Sequence, residues 1–250
     1  MAIDYPSSFQ KDRIWTVYTD WIPAPNIGKN PELYELENDA IARDGRLDAA
    51  LIGIADWTSK VLLDIGTGTG YWLPRYATKA HEVIGVEPDP GLLPRAQERV
   101  QDLPNARAIA GSAEHIPLSD NSVDIAHARF AYFFGAGAEK GLAEVLRVLK
   151  PGGSLVVIDN SWELGDFAKL LKIATEGNAA MDPDAAREWW QDRGATRVDV
   201  LGGWACKSPG ELQEILRMEF ASDVVDQFWN YEHDGGASIS YGFAIYRVRN

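Results

Sequence analysis

Residues 61–70, Val-Leu-Leu-Asp-Ile-Gly-Thr-Gly-Thr-Gly, set three alternate glycines directly behind a short apolar run. A run of that length reads as a buried strand, and the glycines let the backbone turn tightly and come close to a ligand. A helix beginning there would offer unpaired N–H groups to a carboxylate or phosphate. The glycines alone fit several nucleoside cofactors, because nicotinamide and flavin enzymes use the same device. Their spacing narrows the choice. Gly66, Gly68 and Gly70 make G-x-G-x-G, whereas the dinucleotide fingerprint needs its last glycine where this chain has Tyr71, and so bulky a side chain argues against a pyrophosphate. Glu87 closes the next apolar run, 81–87, where a carboxylate can accept hydrogen bonds from both hydroxyls of a ribose. Asp64, just before the glycines, reads as a buried, ionised carboxylate at the ligand's positive end or at the loop amides; the plainer alternative is a satisfied turn carboxylate.

The elements that must hold these residues follow from periodicity. Strands are expected at 61–65, 81–87, 106–110, 122–128 and 154–159, and helices between them at 71–79, 90–101 and 139–149. This is the βαβ rhythm of a parallel sheet. In the third helix Leu142, Val145, Leu146 and Leu149 share one face, and Lys150-Pro151-Gly152-Gly153 stops it. The pattern then changes, with helices expected at 162–175, 183–193 and 208–220 and a strand at 197–201. Residues 238–248 alternate and are rich in aromatic and β-branched types, as a closing antiparallel strand would be. Ahead of the core, 31–55 reads as two helices broken at Asp44-Gly45, preceded by an aromatic segment with Trp15, Tyr18 and Trp21 that could cover the site.

Taken together, the segment 63–70, the acidic Glu87, Gly111-Ser112-Ala113-Glu114 with Ile116-Pro117-Leu118, and Leu149-Lys150-Pro151-Gly152-Gly153 resemble the class I S-adenosylmethionine-dependent methyltransferases. The likeness covers residues 60–160 and is nearest the small-molecule branch that includes quinone methyltransferases. It implies an α/β, Rossmann-like three-layer sandwich: a mainly parallel seven-stranded sheet with an antiparallel last strand, capped by N-terminal helices and helical inserts. It also implies S-adenosylmethionine as cofactor. Asp64, Gly66, Thr67, Gly68 and Gly70 would then lie along the methionine and ribose, and Glu87 on the diol. Pro88 and Asp89 would flank the adenine. Ser112, by its hydroxyl, and Ala113, by its backbone N–H, would meet the adenine edge beside Glu114. Many relatives carry Asp where Ser112 stands, so that partner is weaker here. Ala128 and Arg129 would border the transferred methyl group.

A sulfonium methyl is already a strong electrophile, so holding the acceptor in line and away from water supplies much of the rate. A base matters only when the acceptor must lose a proton. His127, near the end of the fourth strand, is the first candidate, set against a packed histidine at even odds; Tyr132 is the second. Neither Asn-Pro-Pro-Tyr nor Asp-Pro-Pro-Tyr follows that strand, no cysteine lies near it, and no carboxylate and histidine cluster has ligand spacing, so no metal is expected. Every tryptophan except Trp72 lies outside 60–160. Trp15, Tyr18, Phe130, Tyr132 and Phe133 are expected to line an apolar pocket, whereas adjacent Trp189 and Trp190 read as helix packing.

Composition bounds the rest. The chain of 250 residues is 46% hydrophobic, which suits a globular protein. Its 37 acidic against 24 basic residues give a formal charge of −13, which disfavours nucleic acid as a substrate. One cysteine, Cys206, excludes an internal disulfide, and no stretch is long enough to span a bilayer. A single cytoplasmic domain is expected, with 1–59 as a helical cap segment, 60–160 as the cofactor-binding core and 161–250 as acceptor-side inserts and closing strands. The expected activity is methyl transfer to a small organic acceptor, apolar or aromatic types being favoured. The alternatives are a non-catalytic protein of the same fold that binds the cofactor or a partner subunit and, disfavoured by Tyr71, a nicotinamide oxidoreductase.

Overall fold

Short apolar runs and the helix-patterned segments between them build one mixed sheet and its covering layers. The computed structural model describes residues 24, 26–131, 137–176 and 184–250. In chain order the elements are α1 (Pro31–Ala42), α2 (Arg46–Ile54), β1 (Val61–Ile65), α3 (Leu73–Ala77), β2 (Glu82–Glu87), α4 (Leu93–Val100), β3 (Ala106–Ala110) and β4 (Val123–Arg129). There follow α5 (Glu139–Val148), β5 (Leu149–Leu164), α6 (Gly165–Thr175), α7 (Ala185–Gln191), β6 (Thr196–Ala205), α8 (Pro209–Glu219), α9 (Ser222–Tyr231) and β7 (Ser238–Arg249). The sheet has seven strands in the order β3-β2-β1-β4-β5-β7-β6. β1 to β5 pair in parallel, and β7 lies antiparallel between β5 and β6.

That order reverses at β1 and β4, which neighbour each other although two strands separate them in sequence. Chains leaving the two strands at their carboxyl ends diverge, and the crevice between them is where open α/β sheets bind ligands. The glycine run follows β1 and Arg129 ends β4, so both border this crevice.

Alternation along the strands divides the interior in two. Leu62, Ile125, Val156 and Ile158 point to one face, covered by Leu47 and Leu51 of α2, Leu73 and Tyr76 of α3, Trp57, Phe167 of α6, Leu212, Ile215 and Leu216 of α8, and Phe228 of α9. Leu63, Ile65, Ile84, Ala126 and Val157 point to the other, covered by Leu142, Val145 and Val148 of α5 and by Trp190 of α7. Each fully buried Leu, Ile or Val contributes about 1.5–3 kcal/mol against its exposed state, which is why a one-residue register slip would be prohibitive.

Four elements differ from the sequence expectation; one of them, β6, runs on to Ala205 instead of 201, because β7 pairs with it as far as Ala205–Ser238. The fifth strand begins at Leu149 instead of 154, because Leu149 pairs with Val123 before a register shift across the Pro-Gly-Gly segment lets Ser154 pair with Ile125. The same strand runs on to Leu164, where a helix is expected from 162, because β7 continues to pair with it as far as Asn160–Phe243. Helix α6 then starts at Gly165, whose φ of +81° makes the turn, and Asp166 fixes it by accepting from the Ser240 amide at 3.0 Å and hydroxyl at 2.6 Å. Helix α9 is an addition to the reading; Val225 and Phe228 bury its inner face.

Candidate functional site

At the end of β1 the backbone enters the left-handed region three times, with φ of +66°, +60° and +74° at Gly66, Gly68 and Gly70. L-side chains resist this region, and space forbids them too. A Cβ on Gly66 would stand 2.5 Å from the Ala131 Cβ, and one on Gly68 2.8 Å from Ile27 Cδ1. The loop is pinned by its amides. Gly66 and Thr67 both donate to the Val86 carbonyl, at 2.8 and 3.1 Å, and Gly68 donates to Glu87 Oε2 at 2.6 Å. Glu87 Oε1 accepts from the Asp89 amide at 2.9 Å, so one carboxylate joins the glycine loop to the turn after β2. Each oxygen keeps a lone pair for a ligand hydroxyl. Glu87 is 5% exposed, and this burial, more than its two amide bonds offset, raises its pKa above the ordinary carboxylate value.

Asp64 departs from one expectation. The loop amides bond to Val86 and Glu87, and Asp64 instead accepts from the Thr67 hydroxyl at 2.7 Å. Burial pushes its pKa up to about 6, with Thr67 and the nearby Arg129 charge opposing the shift. It is a carboxylate at neutral pH that protonates readily on mild acidification.

Beyond β3, on the same side of the crevice as β1 and β2, Ser112 and His115 form a small bridge, each amide donating to the other's carbonyl at 3.1 Å. This turn buries Ser112 and Ala113, and the Ser112 hydroxyl has no hydrogen-bond partner among the described residues. Glu114 is partly exposed and His115 exposed. Pro88 lies in the turn that Glu87 anchors. Gly66, Thr67, Gly68, Glu87 and Pro88 are thus brought to one rim of the crevice.

On β4, Ala128 faces the α5 side of the sheet, whereas His127 and Arg129 face the α2–α3 side. His127 requires a correction. It is wholly buried, edge-on to Trp57 at 5.5 Å and Tyr76 at 5.3 Å, and neither ring nitrogen has a hydrogen-bond partner among the described residues. Desolvation, then the Arg129 charge, lowers its pKa to about 3. A neutral ring sealed between aromatic groups cannot reach an acceptor, so His127 is a core residue and not a general base. Tyr132, the second candidate, lies outside the described residues, as do Trp15, Tyr18, Trp21 and Phe133. Phe130 has φ of +50° and stacks on Tyr241 with ring centroids 6.1 Å apart. Trp190 is core, stacked on Tyr246, and Trp189 carries the Arg193 guanidinium on its face.

Helix α1 supplies residues the sequence did not single out. Glu35 accepts from Thr69 of the glycine loop and from Arg99, Asp39 accepts from the Tyr71 hydroxyl, and Asn38 accepts from Trp72 Nε1 at 2.8 Å. Tyr71 therefore turns toward α1, and its pKa is pushed up to about 12 by burial and by Asp39. On the inner side of α1, Glu37 bonds to Glu219 at the end of α8, and Asn26 Nδ2 donates to Glu219 Oε1 at 2.8 Å. Burial and the neighbouring carboxylate raise the Glu37 pKa well above the usual range, so the pair shares a proton held on Glu37. The residue after Asn26, Ile27, packs over Gly68, which sets this pair near the glycine loop. Thirty-two to thirty-four residues separate the α1 partners from the loop groups they touch, and no local motif announces pairs at such a distance.

Among the described residues no group of three or more His, Cys, Asp or Glu could hold a metal ion, and no helix is long and apolar enough to cross a membrane.

Residues 63–157 match the family model of a methyltransferase domain. The chain is 30% identical over 165 residues to an uncharacterized methyltransferase, YcgJ, of Bacillus subtilis, an alignment covering 65% of this chain and 64% of the relative. It is 33% identical over 133 residues to a demethylmenaquinone methyltransferase of Renibacterium salmoninarum, covering 51% and 54% respectively. It spans less than two thirds of the length of the curated relatives it matches. The crystal structure of YcgJ superposes with a TM-score of 0.56 at 20% identity, covering 81% of this chain and 97% of that one. A SAM dependent methyltransferase from Aquifex aeolicus gives 0.52 at 19%, covering 86% and 97%. At such identities these two structures speak for the fold.

Proposed function

From the premise that this chain carries a class I S-adenosylmethionine-dependent methyltransferase domain, with S-adenosylmethionine as its cofactor, we propose that it is an enzyme transferring a methyl group to a small organic acceptor. The observation that carries the reading is the Glu87 carboxylate, which closes β2 and accepts from Gly68 of the loop after β1 while keeping lone pairs for a ribose diol. The cofactor would supply an electrophilic methyl group on a sulfonium, the acceptor's lone pair forming the new bond as the carbon–sulfur bond breaks toward sulfur.

The chain's own groups fit that ligand. Gly66, Gly68 and Gly70, with Thr67 between them, bring bare backbone to where the methionine and ribose would lie, and a Cβ on the glycines would collide with Ala131, Ile27 and Ala96. The buried Ser112 hydroxyl, which has no partner among the described residues, would meet the adenine edge with the Ala113 amide and Glu114, and Pro88 would flank its ring. Asp64, ionised at neutral pH, would stabilise positive charge at the methionine end. Ala128 and Arg129 would border the reacting methyl group. With His127 in the core, any proton the acceptor loses would pass to the acceptor side. Tyr132 is kept as a proposed group there.

Phe130, only partly buried and directly after Arg129, supports an apolar or aromatic acceptor. The proposed division is a core at 60–160, a helical cap at 1–59 and acceptor-side segments at 161–250. A proposed cytoplasmic setting goes with the single cysteine, and a small-molecule acceptor in place of nucleic acid goes with the acidic balance of the chain. Incubation with S-adenosylmethionine carrying a labelled methyl group, across a library of phenols, quinols, amines, thiols and carboxylic acids, tests the reading. Label is expected in at least one small aromatic or apolar acceptor. Cofactor binding with no label transferred across the library would instead support a non-catalytic binder of the same fold.

A further inference from the structure

Arg129 holds a buried charge whose hydrogen-bonding capacity the described residues use only in part. Its side chain is 5% exposed, and Nε and Nη1 have no partner among them. Nη2 donates to the Tyr76 hydroxyl at a long 3.2 Å, and the nearest carboxylate oxygen, on Asp48, is 3.8 Å away. The Trp72 ring covers one face of the guanidinium with its centroid at 3.7 Å. Buried guanidinium groups are ordinarily paired and fully hydrogen-bonded, because a charge removed from water otherwise has nothing to replace its hydration.

The position of this group points to what completes it. Ile65 and Ala128 are register partners, so the next residues outward, Gly66 and Arg129, flank the start of the glycine loop together. Ala131, two residues on, touches Gly66. The neighbouring polar groups leave the fork open: Asp64 feels the Arg129 charge but spends its Oδ2 on the Thr67 hydroxyl and makes no hydrogen bond to the guanidinium, and His127 is neutral and enclosed by rings. What the site lacks is a compact, planar anion entering from the crevice, which a carboxylate supplies and a guanidinium recognises by charge and shape.

We propose that Arg129 binds a carboxylate of the small molecules that occupy this crevice. The inference rests on the methyl-donor reading above and deepens it. Two sources carry that chemistry: the methionine carboxylate of the donor and a carboxylate on the acceptor.

Calorimetry on the full chain distinguishes them. If the donor is the source, wild-type protein binds S-adenosylhomocysteine at least tenfold more tightly than its decarboxylated analogue. Arg129→Met then removes most of that preference, weakening S-adenosylhomocysteine while leaving the analogue within about threefold. If the acceptor is the source, the two nucleosides bind alike. Protein loaded with S-adenosylhomocysteine then takes up phenylacetate but not phenylacetamide, and Arg129→Met abolishes the distinction. Arg129→Lys, which keeps the charge and loses the planar fork, reads the same ratios should the methionine variant not fold. The proposal is overturned if wild-type protein prefers neither carboxylate probe, or if the preference survives in both variants. Failure of wild-type protein to bind S-adenosylhomocysteine at all would instead remove the methyl-donor reading beneath it.

Discussion

The two faces of the sheet bury different chemistry. Under α5 and α7 the interior is almost wholly aliphatic, with Leu63, Ile65, Val86, Ala126, Val145 and Val157 meeting Trp190 and Tyr246. Under α2 and α3 the same strands present Asp64, His127 and Arg129 to Trp57, Trp72 and Tyr76. Strand alternation makes the division, since neighbours along β1 and β4 point to opposite faces. The lesson is one of specialisation: both faces bury apolar surface, but only the α2–α3 face also holds charge at low exposure beside the crevice. Within the second face His127 and Arg129 differ again, because the histidine is enclosed and neutral whereas the arginine sits at the strand's end, next to Gly66.

The comparison is broken most forcefully from the aliphatic side. Trp190→Ala is expected to destabilise the protein by about 3–5 kcal/mol in urea unfolding, the usual effect of emptying a large core site, with affinity for S-adenosylhomocysteine unchanged in the folded fraction. A matching loss of affinity would show that the faces are not separable. On the polar side, Glu87→Ala should leave the core intact and weaken S-adenosylhomocysteine binding by about 1–3 kcal/mol through loss of a charge-assisted hydrogen bond. Unaltered affinity by calorimetry would remove Glu87 from the ribose.

The His127 environment gives a pH test. In the folded protein the ring stays neutral down to about pH 3, whereas in the unfolded chain it takes a proton near pH 6.5. Acid therefore favours the unfolded state: this contribution to stability is complete above pH 6.5 and is lost as pH falls toward 3. Between pH 7 and pH 5 the loss is about 2 kcal/mol. His127→Leu should remove it, so that unfolding free energies of wild type and variant diverge with pH; parallel curves would place the imidazole in contact with water. The smallest effect is expected for Tyr71→Phe, which deletes the bond to Asp39 and loosens α1 from the glycine loop at about 0.5–1.5 kcal/mol. Faster amide exchange confined to α1 would register it, and an unchanged exchange pattern would argue that Tyr71 does not tether the helix.

What was legible in the residues follows the same division. The glycine turn, Glu87 and the parallel strands are local patterns, readable because period, breaker and turn residue fall within a few positions of one another. The closing strand was readable from its alternation, whereas the start of α6 was not, because Asp166 and Gly165 answer to Ser240 and the pairing of β7. Helix α9 left a signal, Ser222-Asp223 followed by Val225 and Phe228 on one face. His127 was placed correctly along its strand, but only the packing of Trp57 and Tyr76 shows that its face is sealed. The Glu37–Glu219 pair joins helices from opposite ends of the chain, beyond the reach of any spacing rule.

The central claim is that the rim made by the glycine loop and Glu87 is built for a methyl donor and not for a dinucleotide. Titration calorimetry of the full chain with S-adenosylhomocysteine and, separately, with NAD tests it most directly. The account predicts saturable binding of S-adenosylhomocysteine at one site and no heat from NAD. Tight NAD binding with no response to S-adenosylhomocysteine would contradict it.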